Sequence, residues 1–395
     1  MLSVADAARA VARRIEPLPA ERVPLADAGG RVLADDVRAA RALPIFDNSA
    51  MDGYAARAAE LPATLPVVGM VAAGQVMAEP VPAGVAIRIL TGAPMPAGLD
   101  TVVIQEDARV AGATVTLPAA RVGDNVRRAG EDIAPGEIAV TGGTRLGAGE
   151  LALLAALGLV ELSVRRAPRV ALITTGDELV DVTTQPLPGQ IVDSSSHMLG
   201  ALVHACGGAA TYFGIAKDDP IAMAAMLASA MDHDVVITTG GVSVGDRDHV
   251  RGALAAAGVE LELWKVAMKP GKPFSFGMNG KTPVFGLPGN PVSTFVAFEL
   301  FVRPALLAMQ GLAVTARPRA PVQLVRGYRK PAGRCHYLRV RVVRNGEHLI
   351  AHPHAKQGSA MLTSLIGCNA LVELTAEATE IPPNTIVSAL LFEPV

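Results

Sequence analysis

Three short loops hold the residue types that handle phosphate. Gly176-Asp177-Glu178 follows the apolar run RVALITT, GGVSVGDRD at 240–248 follows DVVITT, and LPGNP at 287–291 follows PVFG. Glycines in such turns let backbone N–H groups close around an anion, and a following helix N-terminus adds partial positive charge. A Gly-rich strand-to-helix turn is by itself an ordinary connection. Three on one sheet edge, two of them with carboxylates, point to a ligand, because open α/β sheets bind outside the carboxyl ends of their strands. Asp246 and Asp248 beside an anion loop make sense when a divalent cation sits between them and a phosphate. Gly240, Gly241 and Ser243 are the substrate-binding positions of the second loop.

KPGKP places Lys269 and Lys272 in a turn, since Pro-Gly between them cannot continue a helix. Alone it reads as a solvated surface turn; beside an anion loop it reads as a pair of oxyanion ligands. In the N-terminal half, RILTGAPMP (88–96) and RRAGEDI (127–133) are polar turns in which Thr91, Glu131 and Asp132 could reach a ligand. FDNSAMDGYA (46–55) carries Asp47 and Asp52 with neither strand alternation nor a helical stripe, so it reads as a polar loop. His352 and His354 flank a proline with no third ligand in view, which argues against a metal site. G-x-S-x-G, GxxxxGK[ST] and a post-strand GxGxxG are all missing, which disfavours a serine hydrolase, a P-loop ATPase and a NAD enzyme. What remains is carboxylates, lysines and glycines acting on a phosphorylated ligand with a metal.

The elements that must position these residues follow from the hydrophobic pattern. At 395 residues, 50% of them apolar, the chain can bury more than one core. From 167 to 311, apolar strands alternate with helices over SSSHMLGALVHACG, DHVRGALAAAG and VSTFVAFELFVRPALLAM, which predicts a doubly wound, mostly parallel α/β domain. Residues 44–129 hold short β-rich runs between Gly and Pro, an inserted small β-domain. Residues 1–43 and 130–166 form a helix/strand linker domain, with 130–166 expected to pack back on a helix from about Ser3 to Arg14. Residues 312–395 alternate as a C-terminal β-barrel-like domain with one helix near 360–366, and Asn345-Gly346 marks a hairpin. The fold class is thus α/β plus β in a multi-domain subunit.

A net charge of −2, with basic residues spread along the chain, gives no sign of a nucleic-acid partner. LALLAALGLV is too short to cross a bilayer and reads as a buried helix. The N-terminus lacks the plan of a signal peptide, and three dispersed cysteines form no CxxC, so a reducing, cytoplasmic setting is expected.

FDNSAMDGYA, RILTGAPMP, RRAGEDI, TTGDEL, GGVSVGDRD, KPGKPFSFG and GLPGNPVS, in this order, followed by GRCHYLRV and QGSAMLTSL, resemble the molybdopterin molybdenumtransferase family. The resemblance covers essentially the whole chain and includes the C-terminal domain of gephyrin as a relative. It implies an elongated four-part subunit, a homodimer built through 1–43 and 130–166, and an α/β part related to the molybdopterin adenylyltransferases. It implies a reaction in which adenylylated molybdopterin and molybdate, with Mg2+, give molybdenum cofactor and AMP.

Carried over by motif, Glu178 and Asp248 are the acidic group near pyrophosphate and metal, with Asp246 assisting and Asp218 at a further acidic position. Lys265, Lys269 and Lys272 form the cationic wall, Pro288 and Pro291 shape the neighbouring loop, and Arg339 and Ser359 complete the oxyanion site. Asp52, Thr91 and Asp132 reach the α/β site of the partner in a composite dimer, with Asp47 anchoring its loop. Further partners implied are the adenylyltransferase and molybdoenzyme-maturation proteins. Ser195 and Val192 stand where the family more often shows Asn and Tyr, and His249 where an aromatic is common, which puts pterin or adenine contacts there in doubt. Two other functions fit parts of the pattern: a molybdopterin adenylyltransferase, against which GGVSV and the extra domains stand, and a non-catalytic molybdopterin-binding scaffold.

Overall fold

A computed structural model describes residues 1–217, 219–240 and 249–393. The chain divides into two compact units. One comprises Met1–Glu21, Gly30–Ala34 and Val164–Val395, the other Arg22–Gly29 and Asp35–Ser163.

In the first unit, six strands form one sheet in the order Ala209–Ala216, Arg169–Thr175, Val235–Thr239, Thr282–Leu287, Ser275–Asn279, Glu260–Trp264. The first four are parallel, and Ser275–Asn279 runs antiparallel to both neighbours. Arg169–Thr175 is buried from Val170 onward, which is why it reads as an uninterrupted apolar run. Leu199, Val203, Val296 and Phe301 cover one face of the sheet, and Met223, Leu227, Ala253 and Leu254 the other. Ser275–Asn279 was not expected: it follows the KPGKP turn directly, and its Gly277 leaves room for the carbonyl of Glu260, which a Cβ would meet at 2.6 Å.

The expected single helix over 292–309 has three parts: Pro291–Ala297, a π-helical segment Phe298–Val302, and Arg303–Met309. Pro304 has no N–H to give the preceding turn and its ring crowds the carbonyl there, and a wider turn accommodates both effects. Pro291–Met309 is long and apolar enough to cross a bilayer by composition, yet 72% of its apolar window is buried inside the protein. The N-terminal helix Val4–Ala12, capped by Ser3 Oγ accepting from Asp6 N at 3.0 Å, buries Ala7 and Val11 in this same core. That corrects the expectation that it packs with 130–166.

Arg319–Leu324, Cys335–Asn345, His348–Pro353, Ala370–Leu374 and Thr385–Leu391 close into a five-stranded barrel, because Cys335–Asn345 pairs with both His348–Pro353 and Ala370–Leu374. The hairpin falls where Asn345-Gly346 predicts it. Asn345 still pairs with His348, and Gly346 takes φ +59° at the first turn position, the requirement of a II′ turn. Only a short 3-10 turn, Leu362–Leu365, stands where a helix was expected.

The second unit holds a six-stranded sheet in the order Thr101–Ile104, Gly53–Ala56, Ala86–Ile89, Ala63–Val71, Thr114–Leu117, Arg109–Ala111. The end of FDNSAMDGYA, as part of Gly53–Ala56, is therefore a fully buried inner strand, not a loop. Its small residues fit where a neighbour comes close: a Cβ on Gly53 would lie 2.1 Å from the carbonyl oxygen of Val103. The helix Ala148–Ala156 corrects another expectation. It buries Leu154 alone and ends before Gly158 at φ +83°, so LALLAALGLV is a half-exposed surface helix.

Candidate functional site

The carboxyl ends of the four parallel strands bring three loops into contact. The N–H of Gly240 donates to Leu287 O at 3.1 Å, that of Gly176 donates to Ala216 O at 3.2 Å, and Thr175 Oγ1 donates to Thr239 O at 3.0 Å. Gly240 has φ +85°, and a Cβ there would meet Thr175 O at 2.4 Å; a Cβ on Gly289 would come within 3.4 Å of Gly240 Cα. Glycine is thus required at position 240 by conformation and by space, and the three backbones form one continuous wall. The Glu178 carboxylate folds over Gly176, whose Cβ would lie 2.5 Å from Glu178 Oε2. Pro288 O accepts from Thr294 Oγ1, and Pro291 opens the following helix. Gly241, Ser243, Asp246, Asp248 and Asp218 lie outside the described residues.

Glu260–Trp264 runs parallel to Thr282–Leu287, two strands away or about 10 Å. Its carboxyl end therefore delivers Lys265 to the same edge. Lys265 has φ +74°, a conformation that costs a non-glycine residue about 1–3 kcal/mol and is retained where the surroundings demand it. Its N–H donates to Phe274 O at 2.9 Å, and Lys272 O accepts from both Val266 N and Phe274 N at 3.1 Å. These bonds pin Lys265 and Lys272 into one turn. Lys269 lies on a short strand paired in parallel with Cys335–His336.

That pairing reveals a residue the sequence reading missed. His336 is 2% exposed, and burial together with Lys269, Lys330 and Arg334 pushes its imidazole down to about 4. Lys330 spends its charge internally, donating to Arg334 O at 2.9 Å and Ala376 O at 3.3 Å. Arg334, by contrast, makes no side-chain hydrogen bond or ion pair with any described residue, and neither do Lys265, Lys269 and Lys272. Four cations without a counter-charge among the described residues thus stand on two adjoining segments. Arg334 follows Gly333 at φ +94°, a turn tip that was the available signal within GRCHYLRV.

Ser359 reaches this edge, since its carbonyl accepts the N–H of Val292 at 3.1 Å. Arg339 supports the loop that carries Ser359. The guanidinium is buried, with Nε donating to Ser364 Oγ at 3.0 Å and Nη2 to Gly358 O at 3.0 Å, so it braces the loop behind Ser359. Its strand carries Arg339 inward, and Nη1 makes no hydrogen bond to a described residue.

A further acidic group also went unread. Asp193 is buried and accepts from Ser195 N at 2.9 Å, Ser196 N at 3.2 Å, Tyr212 Oη at 2.9 Å and Thr174 Oγ1 at 3.1 Å. Burial first, then this carboxylate, pushes the Tyr212 phenol up to about 12 despite the Thr174 bond, which acts the other way.

In the second unit, Asp52 and Thr91 meet. Thr91 N and Oγ1 both donate to Asp52 Oδ1 at 2.7 Å, and these bonds hold the carboxyl below its usual range. Asp47 accepts from Ala129 N at 2.8 Å and Arg128 Nη1 at 2.6 Å, tying its loop to the 127–133 segment. Asp132 is exposed, and only its backbone is held, by Leu43 O at 3.0 Å.

No group of three His, Cys, Asp or Glu among the described residues could hold a metal ion. Magnesium commonly takes one or two carboxylates and completes its shell with water and substrate phosphate, and Glu178 on the glycine wall suits that mode.

Residues 2–158, 171–308 and 321–392 match, in turn, the families described as MoeA N-terminal region (domain I and II), probable molybdopterin binding domain, and MoeA C-terminal region (domain IV). The chain is 37% identical to molybdopterin molybdenumtransferase 2 of Mycobacterium tuberculosis over 400 residues, covering 98% of each. It is 40% identical to the molybdopterin molybdenumtransferase of Nostoc sp. over 329 residues, covering 79% of this chain and 76% of that one. The crystal structure of the molybdopterin biosynthesis MoeA protein from Pyrococcus horikoshii superposes with a TM-score of 0.86 at 32% identity, covering 99% of this chain and 100% of that one.

Proposed function

The chain belongs to the molybdopterin molybdenumtransferase family, transferases that insert molybdenum in molybdenum-cofactor synthesis, and from that premise we propose how its sheet edge does so. The substrates are adenylylated molybdopterin and molybdate, and the products are molybdenum cofactor and AMP. The observation that carries this reading is the meeting of a glycine wall with four cations that have no counter-charge among the described residues, at the carboxyl edge of one sheet.

At the wall, the Gly176, Gly240 and Gly289 backbones let the phosphoanhydride lie against main chain with no side chain between. Lys265, Lys269, Lys272 and Arg334 supply preorganised positive charge for molybdate and for the charge that develops on the departing AMP. Ser359, fixed through its own carbonyl, offers a hydroxyl to the same oxyanion. Magnesium, held by Glu178 and substrate oxygens, would add charge neutralisation at the anhydride. Cleavage of the P–O–P bond by an oxygen nucleophile releases AMP and leaves the pterin free to keep molybdenum on its dithiolene.

The reading extends to a homodimer in which Asp52, Thr91 and Asp132 of one copy serve the edge of the other. Its support is that Thr91 orders Asp52 through Oδ1 alone, and Oδ2 has no partner among the described residues. Mixed dimers of Asp52→Ala with Lys269→Ala should regain activity at one intact composite site; no regain would remove the shared site.

The decisive experiment supplies purified protein with adenylylated molybdopterin, Mg2+ and molybdate, and follows AMP. Molybdate-dependent AMP release is expected. Pyrophosphate from ATP and molybdopterin instead would mark an adenylyltransferase, and pterin binding without AMP would mark a scaffold.

A further inference from the structure

The Glu178 side chain is exposed and makes no hydrogen bond or ion pair with a described residue, so its backbone alone sets its place over Gly176. That backbone leads into one strand of a short parallel ribbon, in which Leu179 and Val180 pair with Ile191 and Val192. The N–H of Ile191 donates to Glu178 O at 2.8 Å, and that of Asp193 donates to Val180 O at 2.9 Å. Residues 181–189, which connect the two strands, are all exposed. Two strands this short are marginal by themselves, so the ribbon needs a firm attachment beyond Gly176.

Asp193 supplies that attachment. It is 4% exposed, and its two carboxylate oxygens have different partners. Oδ1 accepts from Ser195 N at 2.9 Å and Ser196 N at 3.2 Å, at the start of the helix Ser195–Ala205. Oδ2 accepts from Thr174 Oγ1 at 3.1 Å and Tyr212 Oη at 2.9 Å, on the adjacent parallel strands Arg169–Thr175 and Ala209–Ala216. Capping a helix needs Oδ1 alone, and an uncharged Ser or Asn does it as well. Burying a carboxylate is costly, and the Oδ2 bonds are the part that the helix does not require. They tie the ribbon to the strand that runs directly into Gly176.

Building on the insertion reading, in which Glu178 holds magnesium, we propose that Asp193 is the positioning residue for Glu178. It locks the 191–193 strand to the sheet and so fixes where the Glu178 carboxylate meets the substrate. Groups that orient a metal ligand in this way typically govern affinity or activity by about 10–100-fold.

Two readouts on the full chain test this, for the wild type, Asp193→Asn and Tyr212→Phe. The first is amide hydrogen exchange over 176–193, which needs no substrate. Asn keeps an oxygen for the helix N–H groups but then turns its amide toward the two hydroxyls. Exchange over 178–193 should therefore rise, with 265–272 as in the wild type. The second is AMP release, where half-saturating Mg2+ should rise about tenfold. Half-saturating molybdate should hold, because the lysine turn makes no hydrogen bond to the ribbon among the described residues. Tyr212→Phe keeps the helix cap and one hydroxyl, and should shift both readouts the same way by a smaller factor. It decides the matter if Asp193→Asn does not fold. A merely structural role would lower the maximal rate with both half-saturating concentrations unmoved. That result, an equal rise for Mg2+ and molybdate, or unchanged exchange over 178–193 would each overturn the proposal. A wild type that releases no AMP would remove the insertion reading, and the exchange result would still decide whether Asp193 holds Glu178.

Discussion

The two edges of the α/β sheet are built from the same strands and treat charge in opposite ways. At the amino edge, Asp234 accepts both guanidinium nitrogens of Arg166, at 2.7 and 2.6 Å, and the N–H of Arg169 at 2.8 Å. Arg14 meets Glu262 at 2.8 Å, and Lys281 meets Glu16 at 3.2 Å. At the carboxyl edge, Lys265, Lys269, Lys272 and Arg334 meet no carboxylate among the described residues. The glycines differ in the same sense. A Cβ on Gly280, at the amino edge, would enter open space, while one on Gly240 would strike the Thr175 backbone. One edge has its charges satisfied by the fold, and the other holds a group of cations that meet no carboxylate among the described residues. Net charge near zero conceals this, because the segregation is in space and not in composition.

The comparison breaks first if the lysines prove structural. Lys269→Ala/Lys272→Ala should cut molybdate-dependent AMP release by about 10²-fold or more, the worth of lost preorganised charge. Its melting temperature should hold or rise, since like charges repel. A large fall in melting temperature would place these lysines with the satisfied edge.

Asp234→Ala is the mirror experiment. Burial opposes ionisation of Asp234, but the Arg166 pair and the Arg169 N–H outweigh it and hold the carboxyl below its usual value of 3.8. A depressed folded value means stability that is fully present above about pH 4 and lost as pH falls through the lower folded value. The variant should lose roughly 2–3 kcal/mol at pH 7, below the range for fully buried pairs because Arg166 is partly exposed. Urea melts should show the gap to wild type closing below about pH 4, with AMP release per folded molecule unchanged.

A third experiment works on strain. Lys265→Gly frees φ +74° from its Cβ penalty and should stabilise the fold by about 1 kcal/mol while reducing turnover. Stability and activity moving in opposite directions would confirm that the carboxyl edge is kept for chemistry.

Much of this edge was legible because its signals are local: apolar runs for the strands, Gly and Pro for the loops after them. The misses share a different cause. Gly53–Ala56 lacks β-branched residues, and only its approach to the Val103 carbonyl makes GYAA an inner strand. Arg334 and Arg339 sit in one motif, yet strand pairing leaves one at a turn tip and draws the other into the protein. Asp193 went unread in VDSSS because its bonds to Thr174 and Tyr212 need the sheet assembled first. Position along the chain gives residue type and loop, and the third dimension decides which charge is spent.

The smallest effect tests whether charge pairing at the amino edge is uniform. Lys281 and Glu16 are 92% and 75% exposed, so water already solvates both ions and ordering two long side chains offsets most of the attraction. A double-mutant cycle with Lys281→Ala and Glu16→Ala should give a coupling below about 0.5 kcal/mol that vanishes in 1 M salt. Asp234 differs because its carboxylate is 12% exposed and takes three donors, two from one rigid fork. A coupling for Lys281 and Glu16 comparable to the Asp234 loss would mean that the edge is closed by its whole charge network. A negligible one assigns the closure to the single partly buried carboxylate at the start of Val235–Thr239, the strand whose other end carries Gly240.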